Sequence, residues 1–253
     1  MSNERAEAIL KLVRSSYEVP EIVARYTSVG LWPAEETLVA DFFPDEARVL
    51  DMGCGAGRTS IALAELGLEV VGIDISQIMI QVARDQARRA QVEVDFQVMD
   101  ARRLKFPAVS FDVVLYSYNG IELVPGMTGK RAVIKETMRL LKPGGLFVFS
   151  THSLFACNRF AIFRFMSFLR FCAGRFLGLP VRERELGERF SDHPDEEVKY
   201  LQVLPPFLWL RLLRRFGFEI RYFNSRKRLE KGQRWGFPGQ LDDGERFYVA
   251  QKN

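Results

Sequence analysis

The chain is poor in the residues that build covalent or metal frameworks. Its 253 residues include three cysteines, Cys54, Cys157 and Cys172, and two histidines, His152 and His193. There is no CxxC pair and no spaced Cys/His set, which excludes a disulfide scaffold and a zinc site and agrees with a reducing, cytoplasmic setting. The opening MSNERAEAIL is charged where a secretory leader has an apolar core, so export is not expected. The most apolar stretch, SLFACNRFAIFRFMSFLRFCAGRFLGL from residue 153, is broken by Arg159, Arg164, Arg170 and Arg175, a spacing that excludes a bilayer-spanning helix. No window is of low complexity or polar enough to stay unfolded. No compact acidic set for a divalent metal is evident either, so no metal site is expected.

What remains is an ordinary globular composition, long enough for one large α/β domain with an insertion. Formal charge is +4, but the basic residues crowd 159–175 and 221–234, as on a solvated face or one that meets an anionic partner. Residues 4–14, 21–29 and 32–43 read as a helical lead-in. From residue 47 short apolar runs alternate with amphipathic ones: strands over 47–51, 68–74, 92–100, 111–117 and 145–151, with helices over 58–67, 76–90 and 129–142 between them. Such alternation needs crossover connections, and right-handed crossovers build a parallel sheet with helices on both faces. The fold class is therefore doubly wound α/β. After residue 152 the rhythm breaks. Residues 181–204 read as a strand pair around the polar turn SDHPDE, which holds His193, before PFLWLRLLRRFGFEIRYF resumes a helix and a strand and ERFYVAQK ends the sheet. The expected units are a lead-in over 1–44, a core over 45–152, an inserted cap over 153–205 and a completion of the core over 206–253.

The run VLDMGCGAGRTS (49–60) places Gly53, Gly55 and Gly57 between a strand and a helix. Glycines at alternate positions strip side chains from the backbone, which weakens packing unless a ligand occupies the space. A dinucleotide turn would read GxGxxG, but Arg58 stands where the third glycine belongs, and Asp51 directly precedes the turn. A carboxylate there repels a pyrophosphate and suits a cationic amino group. Asp74 closes the next strand, where an acid accepts from a ribose diol, and Asp100 closes the third, where it accepts from an exocyclic amine. Three acids at successive strand ends describe a nucleoside carrying an amino-acid tail, as in S-adenosylmethionine.

VLDMGCGAGRTSIALA, VVGIDIS, VMDARRLKFPAVSFDVVLYSYNGIELV and ETMRLLKPGGLFVFST together resemble the motif series of the class I S-adenosylmethionine-dependent methyltransferases, in particular the broad small-molecule group. The resemblance spans about residues 45–152. It implies a Rossmann-like seven-stranded sheet whose last strand is antiparallel. It places Asp51, Gly53 and Gly55 near the methionine moiety, Asp74 on the ribose, Ile75 beside the adenine, Asp100 and Ala101 at the adenine edge and Ser117 near the sulfonium. Cys54 stands where the pattern has a small residue, so a nucleophilic role is not expected.

Methyl transfer from a sulfonium is an in-line displacement with a neutral leaving group, so placement supplies most of the acceleration. A base is needed only where the acceptor must lose a proton. YSYNGIE (116–122) leaves the fourth strand with Tyr118, Asn119 and Glu122, and His152 ends the fifth. Tyr118 and His152 are the candidates for orienting or deprotonating the acceptor, His152 because its ordinary pKa lies near neutrality. Tyr17 and Tyr26 in the lead-in are placed either to fold over the cofactor or to pack. The Asn/Asp-Pro-Pro-aromatic motif of amino-directed nucleic-acid methyltransferases is missing, and no nucleic-acid module is appended. The expected activity is methyl transfer to a small molecule, with an apolar, aromatic or lipid-like acceptor among the options and peripheral membrane contact left open. The rivals are an RNA- or protein-directed methyltransferase and a non-catalytic S-adenosylmethionine-binding protein. In residues 153–179 phenylalanines fall on all sides of a helical wheel, which predicts a sandwiched helix, most simply a buried lid with its arginines reaching outward.

Overall fold

The computed structural model describes residues 1–191, 199–233 and 241–253. His193 and residues 234–240 of the basic connection lie outside them. Three lead-in helices, α1 (Asn3–Ser16), α2 (Pro20–Arg25) and α3 (Pro33–Phe42), precede the sheet. The core then alternates as expected: β1 (Arg48–Met52), α4 (Arg58–Glu65), β2 (Glu69–Asp74), α5 (Gln77–Ala90), β3 (Asp95–Val98), β4 (Phe111–Tyr116), α6 (Gly126–Leu140) and β5 (Leu141–His152). Next come α7 (Ala161–Leu177), β6 (Glu188–Phe190), β7 (Tyr200–Gln202), α8 (Pro206–Arg215), β8 (Phe218–Ser225), the single turn α9 (Arg226–Leu229) and β9 (Glu245–Lys252).

Seven strands form one sheet in the order β3-β2-β1-β4-β5-β9-β8, and β6 pairs with β7 in a separate hairpin. β1 to β5 pair in parallel, while β9 runs antiparallel to both of its neighbours. The central strands β1 and β4 are near-continuous runs of buried residues, as a sheet covered on both faces requires. One face packs Leu50, Val114, Ile134, Phe149 and Trp209, and the other packs Leu38, Val49, Val113 and Val249. β5 begins at Leu141, four residues before the expected start. Leu141 pairs with Phe111 ahead of an irregularity in the β4 register, and Gly144 takes a positive φ of 76° there.

α7 departs from the buried lid. Of its seventeen residues only Ser167 is buried, and most of its large apolar side chains stand in solvent. The wheel reveals that apolar residues lie all round but not which side meets the protein, and the side that does is centred on Ser167.

Candidate active site

The parallel strands β1, β2, β3 and β4 release their chains at one edge of the sheet, where a doubly wound fold binds ligands. A cavity opens there, enclosing about 990 Å³ including its mouth. Gly53, Gly55, Asp74, Ile75, Asp100, Ala101, Ser117 and Tyr118 all line it, so eight of the ten residues singled out from the sequence converge on one space. α1 and α2 roof it with Leu10, Val13, Tyr17 and Tyr26. The two lead-in tyrosines pack edge to face at 5.5 Å, and Tyr26 meets Tyr118 at 5.8 Å, which makes a continuous aromatic wall.

The glycine turn shows why side chains are missing. Gly53 has φ +67°, and a Cβ there would lie 2.7 Å from Cε2 of Tyr116, too close for any atom. Gly55 has φ +55° with nothing within 4 Å of where a Cβ would be, so its bare face looks into open space. Its N–H donates to Asp74 Oδ2 at 3.0 Å, and Ser76 N–H donates to Oδ1 at 2.8 Å. Burial pushes the Asp74 carboxyl up, against the pull of these donors. Asp100 is held by Arg102, whose Nη2 donates at 2.7 Å and also reaches Glu7 of α1 at 3.0 Å, latching the roof to the end of β3.

Asp51 does not reach the cavity wall. Its carboxylate accepts from Thr59 Oγ1 at 2.5 Å and Ser60 Oγ at 2.6 Å, so it pins the first turn of α4 from behind the glycines. Burial lifts it to about 6, outweighing the two hydroxyls and the charge of Arg58. The first turn of α4 supplies the hydroxyls that hold its carboxylate, and Asp51 is absent from the cavity lining to which Gly53 and Gly55 contribute. Cys54 is buried within the turn, and burial with Asp74 and Asp51 nearby pushes its thiol well up, leaving an inert packing group.

Arg58 is a site residue that the sequence marked only as the break in a dinucleotide pattern. Its guanidinium grips the buried carboxylate of Glu35 at 2.7 and 2.8 Å and donates to Gly30 O at 2.7 Å and to Ser117 Oγ at 3.0 Å. It lies 5.1 Å from the ring centre of Trp32 and 5.4 Å from that of Tyr118. One side chain thereby ties the glycine turn, the lead-in and the exit of β4 together. Glu35 also accepts from Trp32 N–H at 2.8 Å, capping α3.

At the exit of β4, Tyr118 and Asn119 both take left-handed backbone, φ +51° and +60°, a strained pair for residues with side chains. Ser150 Oγ accepts from Asn119 N–H at 3.0 Å and holds the bend. His152 stands beside it, outside the cavity lining. Glu122, itself buried, accepts from the His152 backbone N–H and pairs with its Nδ1, both at 2.7 Å. Burial alone would lower the His152 pKa, but the Glu122 carboxylate outweighs it and the net shift is upward. Asn119 Nδ2 lies 3.4 Å from His152 Nε2, and Asn119 Oδ1 is buried without a hydrogen-bond partner among the described residues.

The comparisons with known proteins fall on the same residues. Residues 49–145, from the start of β1 into β5, match the model of the methyltransferase domain family. Residues 49–145 of the chain are a methyltransferase domain. Over 103 residues it is 38% identical to a ubiquinone biosynthesis O-methyltransferase of Coxiella burnetii, a match covering 41% of this chain and 42% of the relative. Over 112 residues it is 34% identical to the putative methyltransferase YqeM of Bacillus subtilis, covering 44% and 45%. The chain thus spans less than half the length of the curated relatives it matches. Among solved structures, a SAM-dependent methyltransferase of Methanosarcina mazei superposes with a TM-score of 0.68 at 23% identity, covering 88% of this chain and 99% of the other. The cyclase SpnF superposes at 0.58 and 21% identity, covering 87% and 79%, so the fold by itself does not set the reaction.

S-adenosylmethionine is the cofactor of this class of domain. The cavity suits it on three counts: the open face of Gly55 leaves room for a ligand chain, the Asp74 carboxylate keeps a lone pair beyond its backbone donors Gly55, Ile75 and Ser76, and Ile75, Met99 and Ala101 give an apolar wall.

Proposed function

We propose that the protein is an S-adenosylmethionine-dependent methyltransferase that acts on the hydroxyl group of a small, largely apolar acceptor. In this reading Gly53 and Gly55 pass beneath the amino-acid tail, Asp74 accepts from the ribose hydroxyls, Ile75 and Ala101 bracket the adenine beside Asp100, and Ser117 stands near the sulfonium. Asp51 acts from behind the turn, as a buried carboxyl whose ionised form the cationic ligand favours. The bound cofactor supplies an electrophilic methyl group. Arg58 keeps the turn, roof and β4 exit in register, and the aromatic wall of Tyr17, Tyr26 and Tyr118 excludes water. Tyr118 orients the acceptor, and His152, with its Nδ1 held by Glu122, takes the hydroxyl proton at Nε2. Residues 153–205 form the cap that chooses the acceptor. The names of the curated relatives, O-methyltransferases of ubiquinone biosynthesis, support an oxygen acceptor of this kind.

One observation carries the reading: three strand ends bring a side-chain-free turn, the Asp74 carboxylate and an apolar wall to a single cavity. Calorimetry with S-adenosylmethionine, followed by measurement of S-adenosylhomocysteine release over a panel of phenolic and enolic acceptors, tests it. Binding with turnover on at least one acceptor is expected. Binding without turnover on any acceptor favours the non-catalytic reading, and turnover on RNA or protein alone favours the macromolecular one. With an acceptor in hand, His152→Ala is expected to lower kcat by about 100-fold or more while cofactor affinity holds.

A further inference from the structure

α7 is inside out. The face it turns to the protein carries Arg164, Ser167, Phe171 and Gly174, spaced three or four residues apart. Ser167 is its one buried residue, and Gly174 sits so tightly that a Cβ would lie 2.2 Å from Val181 Cγ2. Arg164 is turned back to donate to the carbonyls of Leu154 and Ala156 and to Asn158 Oδ1. The other side presents Ile162, Phe163, Phe165, Met166, Phe168 and Leu169, between 42% and 57% exposed, and Phe176 and Leu177 at 76% and 73%. Single exposed apolar residues are ordinary, but a contiguous field of this size on a folded chain marks a surface with a partner.

The charges identify that partner. Within described residues 153–191, Arg159, Arg170, Arg175 and Arg182 are exposed, whereas Glu183 and Glu188 are buried and Glu185 is partly so. Glu188 is held by Arg5 at 2.9 Å, Glu183 lies 3.5 Å from Arg170, and Glu185 accepts from Met127 N–H at 2.7 Å. Among described residues 153–191 the exposed charge is therefore positive, and the exposed acid that meets this segment, Asp243, is bound by Asn158 at its margin. A second copy seated face to face would bring two arrays of arginines together, whereas an anionic lipid surface satisfies both the apolar and the cationic groups. Guanidinium carbons lie 4.7 Å from the ring centre of Phe160 (Arg159) and 6.0 Å from that of Phe176 (Arg175), pairings suited to the level of the headgroups. At seventeen residues the helix is about 25 Å long, and no helix among the described residues is long and apolar enough to cross a membrane.

We propose that α7 and its flanks are a membrane-docking face that lies along anionic bilayers, its phenylalanines in the acyl boundary and its arginines among the phosphates. The docking does not depend on the methyltransferase reading. Flotation of the full chain with vesicles of phosphatidylcholine and phosphatidylglycerol, against phosphatidylcholine alone, tests it. Binding to the mixed vesicles at least tenfold stronger than to the neutral ones is expected, weakening as salt rises. The double variant Phe165→Glu/Leu169→Glu is expected to lose that binding while keeping wild-type affinity for S-adenosylmethionine and wild-type thermal unfolding, which separates a docking defect from a folding or cofactor defect. The conservative double variant Phe165→Leu/Leu169→Phe should retain it. The proposal is overturned if the wild type ignores anionic vesicles, if the glutamate variant floats like the wild type, or if sedimentation reveals a dimer that this variant dissociates.

Discussion

Two phenylalanine-rich segments lie eight residues apart in this chain and have opposite fates. In β5, Phe147 and Phe149 are wholly buried; Phe149 stacks on Tyr248 of β9 at 4.6 Å and 4° and lies 5.3 Å from Trp209 of α8. In α7, Phe163, Phe165, Phe168 and Phe176 stand in solvent. The composition is alike, so what differs is the partner each segment finds within the chain. β5 is paired on both edges and covered on both faces, whereas α7 offers the protein a narrow face of Arg164, Ser167, Phe171 and Gly174 and leaves most of its apolar side chains to something else. Apolar content alone is not evidence of burial.

The comparison predicts a difference in energetics. Phe149→Ala should destabilise the fold by about 3–5 kcal/mol, read from the shift in denaturant midpoint, because it removes a stacked ring from a region that cannot collapse around the gap. A smaller loss would mean that the β5 layer is more loosely packed than its stacking distances indicate.

A second contrast lies within the core, between residues that serve packing and those held at a cost. Asp51 has a folded pKa of about 6 against an ordinary 3.8. The fold thus favours its protonated form: the stability this provides is complete below about pH 4 and is lost as the pH rises through 6. At 1.36 kcal/mol per unit the loss amounts to about 3 kcal/mol at neutral pH. Asp51→Asn keeps an acceptor for Thr59 and Ser60 without the charge. It should raise ligand-free stability at pH 8 by about 2 kcal/mol, leave it nearly unchanged at pH 4, and weaken binding of the sulfonium ligand, as thermal unfolding with and without S-adenosylmethionine would show. Equal stabilisation at both pH values would remove the charge from the explanation.

The acceptor side offers a third. Glu122 holds His152 above its ordinary pKa, so Glu122→Gln should move the acidic limb of kcat/KM to lower pH, since the free base then persists further into acid. An unmoved limb with lowered kcat would leave Glu122 a purely structural strut. Glu122→Asp should restore part of the shift.

How much of this was legible in the sequence follows the range of the interactions. Strand-helix alternation, the glycine turn and the acids at strand ends are local patterns, and the structure keeps β1, β2, β4 and β9 within a residue of their expected bounds. The hold of Thr59 and Ser60 on Asp51 was not legible, because period-2 alternation identifies a strand end but not whether a neighbouring helix will offer hydroxyls to it. The grip of Arg58 on Glu35 spans 23 residues and that of Glu122 on His152 spans 30, and neither spacing has a periodicity to betray it. For α7 the wheel holds apolar residues on every side, so the choice of inner face fell to Ser167 and Gly174, whose small size admits close approach to Val181 and carries little weight in any hydrophobic pattern.

The smallest expected effect bears hardest on the opening contrast. Phe165 is 56% exposed. Phe165→Ser should therefore move the unfolding midpoint of the free protein by less than about 0.5 kcal/mol, as for surface positions generally. The ring buries little in the isolated chain, so losing it forfeits little. The same substitution removes apolar area from the proposed lipid-facing side, so in the presence of anionic vesicles, where bound lipid stabilises the folded state by mass action, the variant should gain less thermal protection than the wild type. A loss in the free protein approaching that of Phe149→Ala would show that the outer face of α7 is already covered in solution, and the two phenylalanine-rich segments would then be alike after all.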